Sequence, residues 1–188
     1  MGGLDHAGGH VNAASDLILI RHAPAATGGR LCGRTDVGLA EWDGEAARAR
    51  LAPRIGGLRL VASPARRCVE TARAFGEPQT DARLWEQDHG DWEGRAWSEI
   101  PDLGPLPPAD LAAHRAPGGE SFADLCARAV PALRAMAGCA AVVHAGTVRA
   151  ALSMAVGVPA ALSFEVGHLS ITHLRLLPGG VSIACVSA

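Results

Sequence analysis

The sequence predicts an α/β domain, a three-layer α/β/α sandwich built on a mostly parallel central sheet. Two short apolar runs, Leu17–Ile20 and Ala140–Val143, are too brief for helices and read as strands buried on both faces. Segments of helical period alternate with such runs along the chain, the pattern of a sheet covered on both sides. Both runs end on polar residues, Arg21-His22 and His144. In open α/β sheets the carboxyl ends of the strands are where ligands bind.

The 188 residues suffice for one well-buried domain, placed at 16–188. Residues 1–15 are rich in Gly and Ala and carry His6 and His10 without a third ligand, so they read as a flexible leader and not as a metal site. Hydrophobic residues make up 48% and charged ones 19%, a globular balance. A net charge of -2 gives no general attraction to nucleic acid or to an anionic membrane, so any anion affinity must be local. No apolar run approaches the ~18 to 20 residues of a membrane span, and Leu17–Ile20 is shorter than the ~7 residues of a signal-peptide core. A cytoplasmic location is expected. The cysteines at 32, 68, 126, 139 and 185 are odd in number and contain no Cys-x-x-Cys, so they read as reduced thiols with neither disulfides nor zinc.

In chain order, Pro24 to Asp36 is a loop leaving the first strand. A helix is expected from about Leu39 to Leu51, with Glu41 and Asp43 in its first turn and Arg48 and Arg50 near its end, stopped by Pro53 and Gly56-Gly57. Leu58–Ala62 is a second strand. Ser63-Pro64 has the form of an N-cap followed by proline at the first helical position. Asp81–Trp85 suggests a third strand, followed by an irregular stretch dense in acids and indoles up to Glu99. A short helix falls near Ala109–His114, and Ser121 with Asp124 forms a capping box for a longer one carrying Phe122, Leu125, Cys126, Ala129, Leu133 and Met136 on one face. Pro131 should kink that helix. Gly146-Thr147 opens a helix to about Val156, closed by Gly157. Ile171–Leu177 and Val181–Val186, joined by Pro178-Gly179-Gly180, read as a hairpin completing the sheet.

Three strand ends thus carry related chemistry: Arg21-His22, Ser63 with Arg66 and Arg67 in the next helical turn, and His144 before Gly146. If the strands are parallel neighbours, two histidines and at least two arginines share one crevice. Helix N-termini after Ser63 and His144 add main-chain donors. A phosphoryl group suits such a site, because guanidinium groups meet its oxygens bidentately and stay charged.

Arg21-His22-Ala23 resembles the Arg-His-Gly signature of the histidine phosphatase superfamily, also called phosphoglycerate mutase-like. Ser63-Pro64-Ala65-Arg66-Arg67-Cys68-Val69-Glu70-Thr71-Ala72 is similar to that family's Ser-Pro-x-x-Arg-x-x-x-Thr-Ala segment, and the match selects Arg67 over Arg66. Leu84-Trp85-Glu86 with Gly90–Gly94 resembles its acid-bearing segment, Pro117–Ser121 its Pro-Gly-Gly-Glu-Ser turn, and Val143–Ala150 its second-histidine motif. The resemblance runs in order from about residue 17 to 175.

The resemblance implies a metal-independent phosphomonoesterase with no cofactor, acting on a small phosphorylated metabolite. His22 would be the nucleophile, Glu86 the general acid, and Arg21, Arg67 and His144 the holders of the equatorial phosphoryl oxygens. Ala145 and Gly146 would add contacts at the helix start. Neighbouring arginines would keep the imidazole of His22 unprotonated. By spacing alone Glu86 is one acid in a crowded stretch, Arg66 competes with Arg67, and His144 can equally be a hydrogen-bonded core histidine. His89, His168 and His173 have no assigned role, and Trp85 and Trp92 flank the acid segment. Two departures stand out: Ala23 replaces the commoner glycine, and Gly28 stands where the family carries Asn, leaving Thr27 or Arg34 as the replacement phosphate contact. Cys32–Asp36 and Arg21–Pro24 look most like the α-ribazole phosphatase type. Broad-specificity or sugar-phosphate phosphatases, a phosphoglycerate mutase and a non-catalytic phosphate-binding module are the alternatives. A Rossmann nucleotide binder would need a Gly-x-Gly-x-x-Gly after the first strand.

Overall fold

The computed structural model describes residues 15–187. The leader with His6 and His10 lies outside the described residues, except that Ser15 already begins β1 (Ser15–Arg21). The other strands are β2 (Arg59–Ala62), β3 (Gln79–Thr80), β4 (Cys139–Val143), β5 (Ile171–Leu177) and β6 (Gly180–Cys185). They form one sheet in the order β3-β2-β4-β1-β5-β6. The first four run parallel, and β5 and β6 are the expected antiparallel hairpin. Arg21 pairs with Val143, and Ala62 with Val142, so the three chemistry-bearing strand ends are neighbours.

Strand β1 shows why the sheet is covered on both sides. Leu17 and Leu19 pack with α4 (Phe122–Arg134) and α5 (Ala145–Val156), whereas Ile18 and Ile20 pack with α1 (Gly44–Ile55) and α2 (Arg66–Ala72). All four side chains are buried, each stabilising the fold by roughly 1.5–3 kcal/mol relative to exposure. The nucleophile candidate therefore follows directly on the best-anchored strand of the sheet. The short helices α3 (Pro108–Ala113) and α6 (Val158–Ala161) pack on the α4–α5 side.

Three elements differ from expectation. Helix α1 starts at Gly44, because Asp43 serves as its N-cap and accepts from the Ala46 amide at 2.9 Å; Glu41 precedes the helix and Pro53 lies inside its last turn. Helix α2 starts later, with Ala65 as an N-cap that makes no side-chain bond; the Ser63 hydroxyl lies two residues before it and accepts from the Ala65 amide at 3.4 Å and from His144 at 2.8 Å. The third strand is only Gln79–Thr80: the Asp81 carboxylate accepts from the Arg83 amide and turns the chain into a 3-10 helix, Ala82–Leu84, that buries Leu84. The Ser121–Asp124 capping box forms, α4 buries the predicted face, and α5 ends at Gly157 with φ 86°. All five cysteines are free.

Candidate active site

The strand ends open onto a cleft of about 610 Å³. Arg21, His22, Arg67, Glu86, Ala145 and Gly146, drawn from separate segments of the chain, share its wall. Thr27 lies on the same wall. His22 follows β1 and is fixed twice: its amide donates to Val143 O at 2.9 Å, and its Nδ1 lies 2.7 Å from Ala23 O. A carbonyl can only accept, so Nδ1 carries the proton and Nε2 keeps its lone pair. The Ala23 amide in turn donates to the Thr71 hydroxyl at 2.9 Å. Burial pushes the His22 pKa down to about 3, with Arg67, Arg21 and His168 adding to the effect against the Ala23 bond. The imidazole is neutral at any ordinary pH, and burial does more to keep it so than the arginines do.

Arg67 is 2% exposed and held by main chain. Its guanidinium donates to Gly33 O at 2.8 Å, Thr35 O at 3.2 Å and Cys32 O at 3.4 Å. That loop is held in turn by Glu93, whose carboxylate accepts from the amides of Gly33, Arg34, Thr35 and His89 and from the Thr35 hydroxyl. Burial raises the Glu93 pKa, but these bonds outweigh it and leave the carboxyl below its ordinary range. Gly33 is required here, because a Cβ would collide with Gln87 O. Arg66, the competitor, lies at the surface with Glu70, 3.2 Å away.

Glu86 is likewise placed by amides. Its Oε2 accepts from Gly146 N at 3.1 Å and its Oε1 from Gln87 N at 3.0 Å. A Cβ on residue 146 would strike the carboxylate, so only glycine lets the acid reach the first turn of α5. Arg21 donates to Val166 O at 2.6 Å. Burial lowers its pKa, Glu86 raises it, and Arg149 and Arg67 lower it further.

Two predicted contacts lie off the wall. His144 is fully buried, with its ring 5.3 Å from that of His22. Arg67 Nε donates to its Nδ1 at 3.3 Å, so Nε2 bears the proton and donates to the Ser63 hydroxyl at 2.8 Å. Both nitrogens are thus engaged behind the pocket. Arg34 does not enter it either. Its guanidinium sits 5.7 Å over the Trp85 ring and 3.4 Å from Glu120, and Trp85 stacks on His144 at 6.5 Å. Trp85 therefore backs the site, while Trp92 lines it.

Sequence reasoning missed two wall arginines, and gave His168 no role beyond lining the pocket or packing. Arg149 lies four positions beyond Ala145 on α5, so helical spacing alone would have put both on one face. Arg30 sits in the Pro24–Asp36 loop, where no periodic signal exists. His168 is presented 5.5 Å from His22 by a turn whose Leu169 takes a left-handed φ of 58°. Burial and Arg21 lower the His168 pKa. His89 also lines the cleft, whereas His173 lies on β5 between β1 and β6, 2.7 Å from Asp16.

Comparison with known proteins finds the same fold. A solved structure called mycobacterial hydrolase 1 superposes with a TM-score of 0.80 at 24% identity, covering 94% of this chain and 99% of that one. The native mycobacterial glucosyl-3-phosphoglycerate phosphatase gives a TM-score of 0.76 at 25% identity, with coverages of 94% and 100%. A solved protein of Thermus thermophilus, TTHB049, gives 0.70 at 27% identity, with coverages of 86% and 99%. No curated protein matches the chain significantly. The family description "Histidine phosphatase superfamily (branch 1)" matches residues 17–188, and the chain belongs to that superfamily.

Proposed function

We propose that the protein is a metal-independent phosphomonoesterase that turns over a small phosphorylated metabolite through a phosphohistidine at His22. The observation that carries this is the fixed tautomer of a buried, neutral imidazole: Nδ1–H is tied to Ala23 O, and Nε2 is free beside Arg21, Arg67 and Glu86. Nε2 attacks phosphorus as the bond to the leaving oxygen breaks. The positive charge that spreads over the ring strengthens the Nδ1–H bond to Ala23 O, so this contact favours the transition state over the ground state. Arg21 and Arg67 meet the equatorial oxygens, and such preorganised donors are worth about 2.7–4 kcal/mol each by analogy with oxyanion holes. Glu86, as the acid, gives its proton to the leaving oxygen. As carboxylate it then takes one from the water that attacks the P–N bond, releasing inorganic phosphate and neutral His22. His144 serves this reaction from behind, by holding Arg67.

The likeness of residues 32–36 to α-ribazole phosphatases supports α-ribazole 5′-phosphate as one substrate to test. In this chain, however, Cys32, Gly33 and Thr35 use their carbonyls to hold Arg67, which ties the segment to phosphoryl binding more than to the leaving group. The sugar-phosphate alternative draws support from the mycobacterial glucosyl-3-phosphoglycerate phosphatase likeness. The deciding experiment is phosphate release from an aryl phosphate with EDTA present. Wild-type protein should turn over, and His22→Ala should lose at least about 10⁴-fold in kcat. Glu86→Gln should lose about 10²–10⁴-fold on alkyl phosphates and much less on aryl phosphates whose leaving group needs no proton. Loss of turnover on chelation, or full activity in His22→Ala, would refute the reading.

A further inference from the structure

Among the described residues the cleft wall carries four arginines, Arg21, Arg30, Arg67 and Arg149, against a single acidic side chain, Glu86. Some arginines away from the cleft are paired with acids, as Arg66 is with Glu70, Arg115 with Asp124 and Arg128 with Glu120. Among the described residues, none of the four wall arginines has an acid within ion-pair distance. Each is held by main-chain carbonyls: Arg21 by Val166, Arg30 by Gly94, Arg67 by the 32–35 loop and Arg149 by Phe164 at 2.9 Å. A carbonyl orients a guanidinium without cancelling its charge. A phosphomonoester dianion brings two negative charges, and Glu86 must be protonated to act as acid, so the phosphoryl group alone leaves the wall with a positive surplus. The cleft is also far larger than one phosphoryl group, within the ~300–1,000 Å³ typical of small-molecule sites.

We infer that the natural substrate carries a second anionic group on its leaving portion, a carboxylate or a second phosphate, and that Arg149 is the residue that selects for it. This rests on the phosphatase reading above. Arg149 is the better placed of the two spare arginines. It stands on α5 one turn beyond the Ala145–Gly146 wall, and only its Nε is spent on Phe164 O, so the outer nitrogens remain for a bidentate anion contact. Its charge reaches Arg21, whose pKa it depresses, which puts it at the edge of the phosphoryl site and not on a remote surface. Arg30 adds to the same positive field from the loop side. The leaving alcohol would thus be pulled toward Arg149 while phosphorus faces His22, and binding energy from the non-reacting end would orient the ester.

The test uses full-length protein and ω-phosphonooxy carboxylic acids of two to six carbons, each paired with its neutral amide. α,ω-Diol bisphosphates, each paired with the corresponding monophosphate, form a second arm that separates the two sources of the anion. The wild-type kcat/KM should favour the acid or the bisphosphate over its neutral partner by about tenfold or more at the best chain length, a preference that shrinks as salt is raised. In Arg149→Met that ratio should fall toward one. A wild-type ratio near one at every length in both arms, or a ratio that persists in Arg149→Met because both partners drop together, would overturn the inference and leave the phosphatase reading intact. The second result would make Arg149 one more phosphoryl ligand. No phosphate release from any of the esters would instead overturn the phosphatase reading, and the inference with it.

Discussion

Two adjacent parallel strands, β1 and β4, each end on a histidine, and the two ends have opposite chemistry. At the end of β1, His22 gives Nδ1–H to a carbonyl and keeps Nε2 free on the cleft wall. At the end of β4, His144 has the reverse tautomer, accepting from Arg67 at Nδ1 and donating to Ser63 at Nε2, with no exposure at all. On the proposed mechanism, the same residue type at the same topological position is a reagent in one case and a bracket in the other. What decides is the neighbour on the far side of each ring. Main chain faces His22, which leaves one nitrogen idle, whereas a serine and an arginine face His144 and use both.

Replacing each histidine breaks this comparison at its sharpest point. His22→Gln should abolish both turnover and the trapped phosphoenzyme, whereas His144→Gln should lower kcat by about 10–10²-fold and still give a phosphohistidine in acid-free mass spectrometry after rapid mixing. The conservative swap matters, because a Gln at 144 retains one hydrogen bond to Arg67 or Ser63 and limits the cost of a buried gap. If His144→Gln also erased the phosphoenzyme, the bracket role would fall and His144 would touch the reacting phosphoryl group after all.

The bracket continues outward through Arg67 to the 32–35 loop and Glu93, and this part of the site was least legible in the sequence. The fold was readable because burial has a period: Leu17–Ile20 and Ala140–Val143 are apolar without a break, and α4 shows its buried face from Phe122 to Leu133. His22 was marked by the end of its strand, whereas Arg67 was preferred to Arg66, and Glu86 to its neighbouring acids, only through the family resemblance. Glu93 has no such marker. It is one acid among several, and its task of gathering four amides and a hydroxyl depends on the loop path from Gly33 to Thr35, to which no periodicity applies. The same holds for Arg34, predicted as a phosphate contact from the missing Asn and found stacked over Trp85. Glu93→Gln should therefore cost about 1–3 kcal/mol of stability, because an amide cannot accept all of these bonds, and should raise KM for an aryl phosphate by about three- to tenfold as Arg67 loses its seat. Calorimetry and steady-state kinetics read the two effects. A changed Tm with unaltered KM would detach Glu93 from the site.

The smallest effect per step comes from the protonation of the two histidines and separates them by thermodynamics instead of rate. Folding holds His22 at about 3 and His144 well below its ordinary value, in both cases chiefly by burial, whereas an unfolded imidazole titrates near 6.5. Below pH 6.5 the unfolded chain therefore binds protons that the native one refuses. Stability is full above that value and is lost as pH falls toward 3, by about 1.4 kcal/mol per pH unit for each histidine once well below 6.5. Carboxylates such as Glu93 and Glu120, held below their ordinary range, lose their own contribution only at lower pH, so the window from 6.5 to 5 isolates the imidazoles. Urea midpoints across that window should slope steeply in the wild type and by about one proton less in either His22→Gln or His144→Gln. Equal slopes in wild type and His22→Gln would mean that His22 takes up its proton in the native state. The nucleophile would then be charged, and inactive, below neutrality.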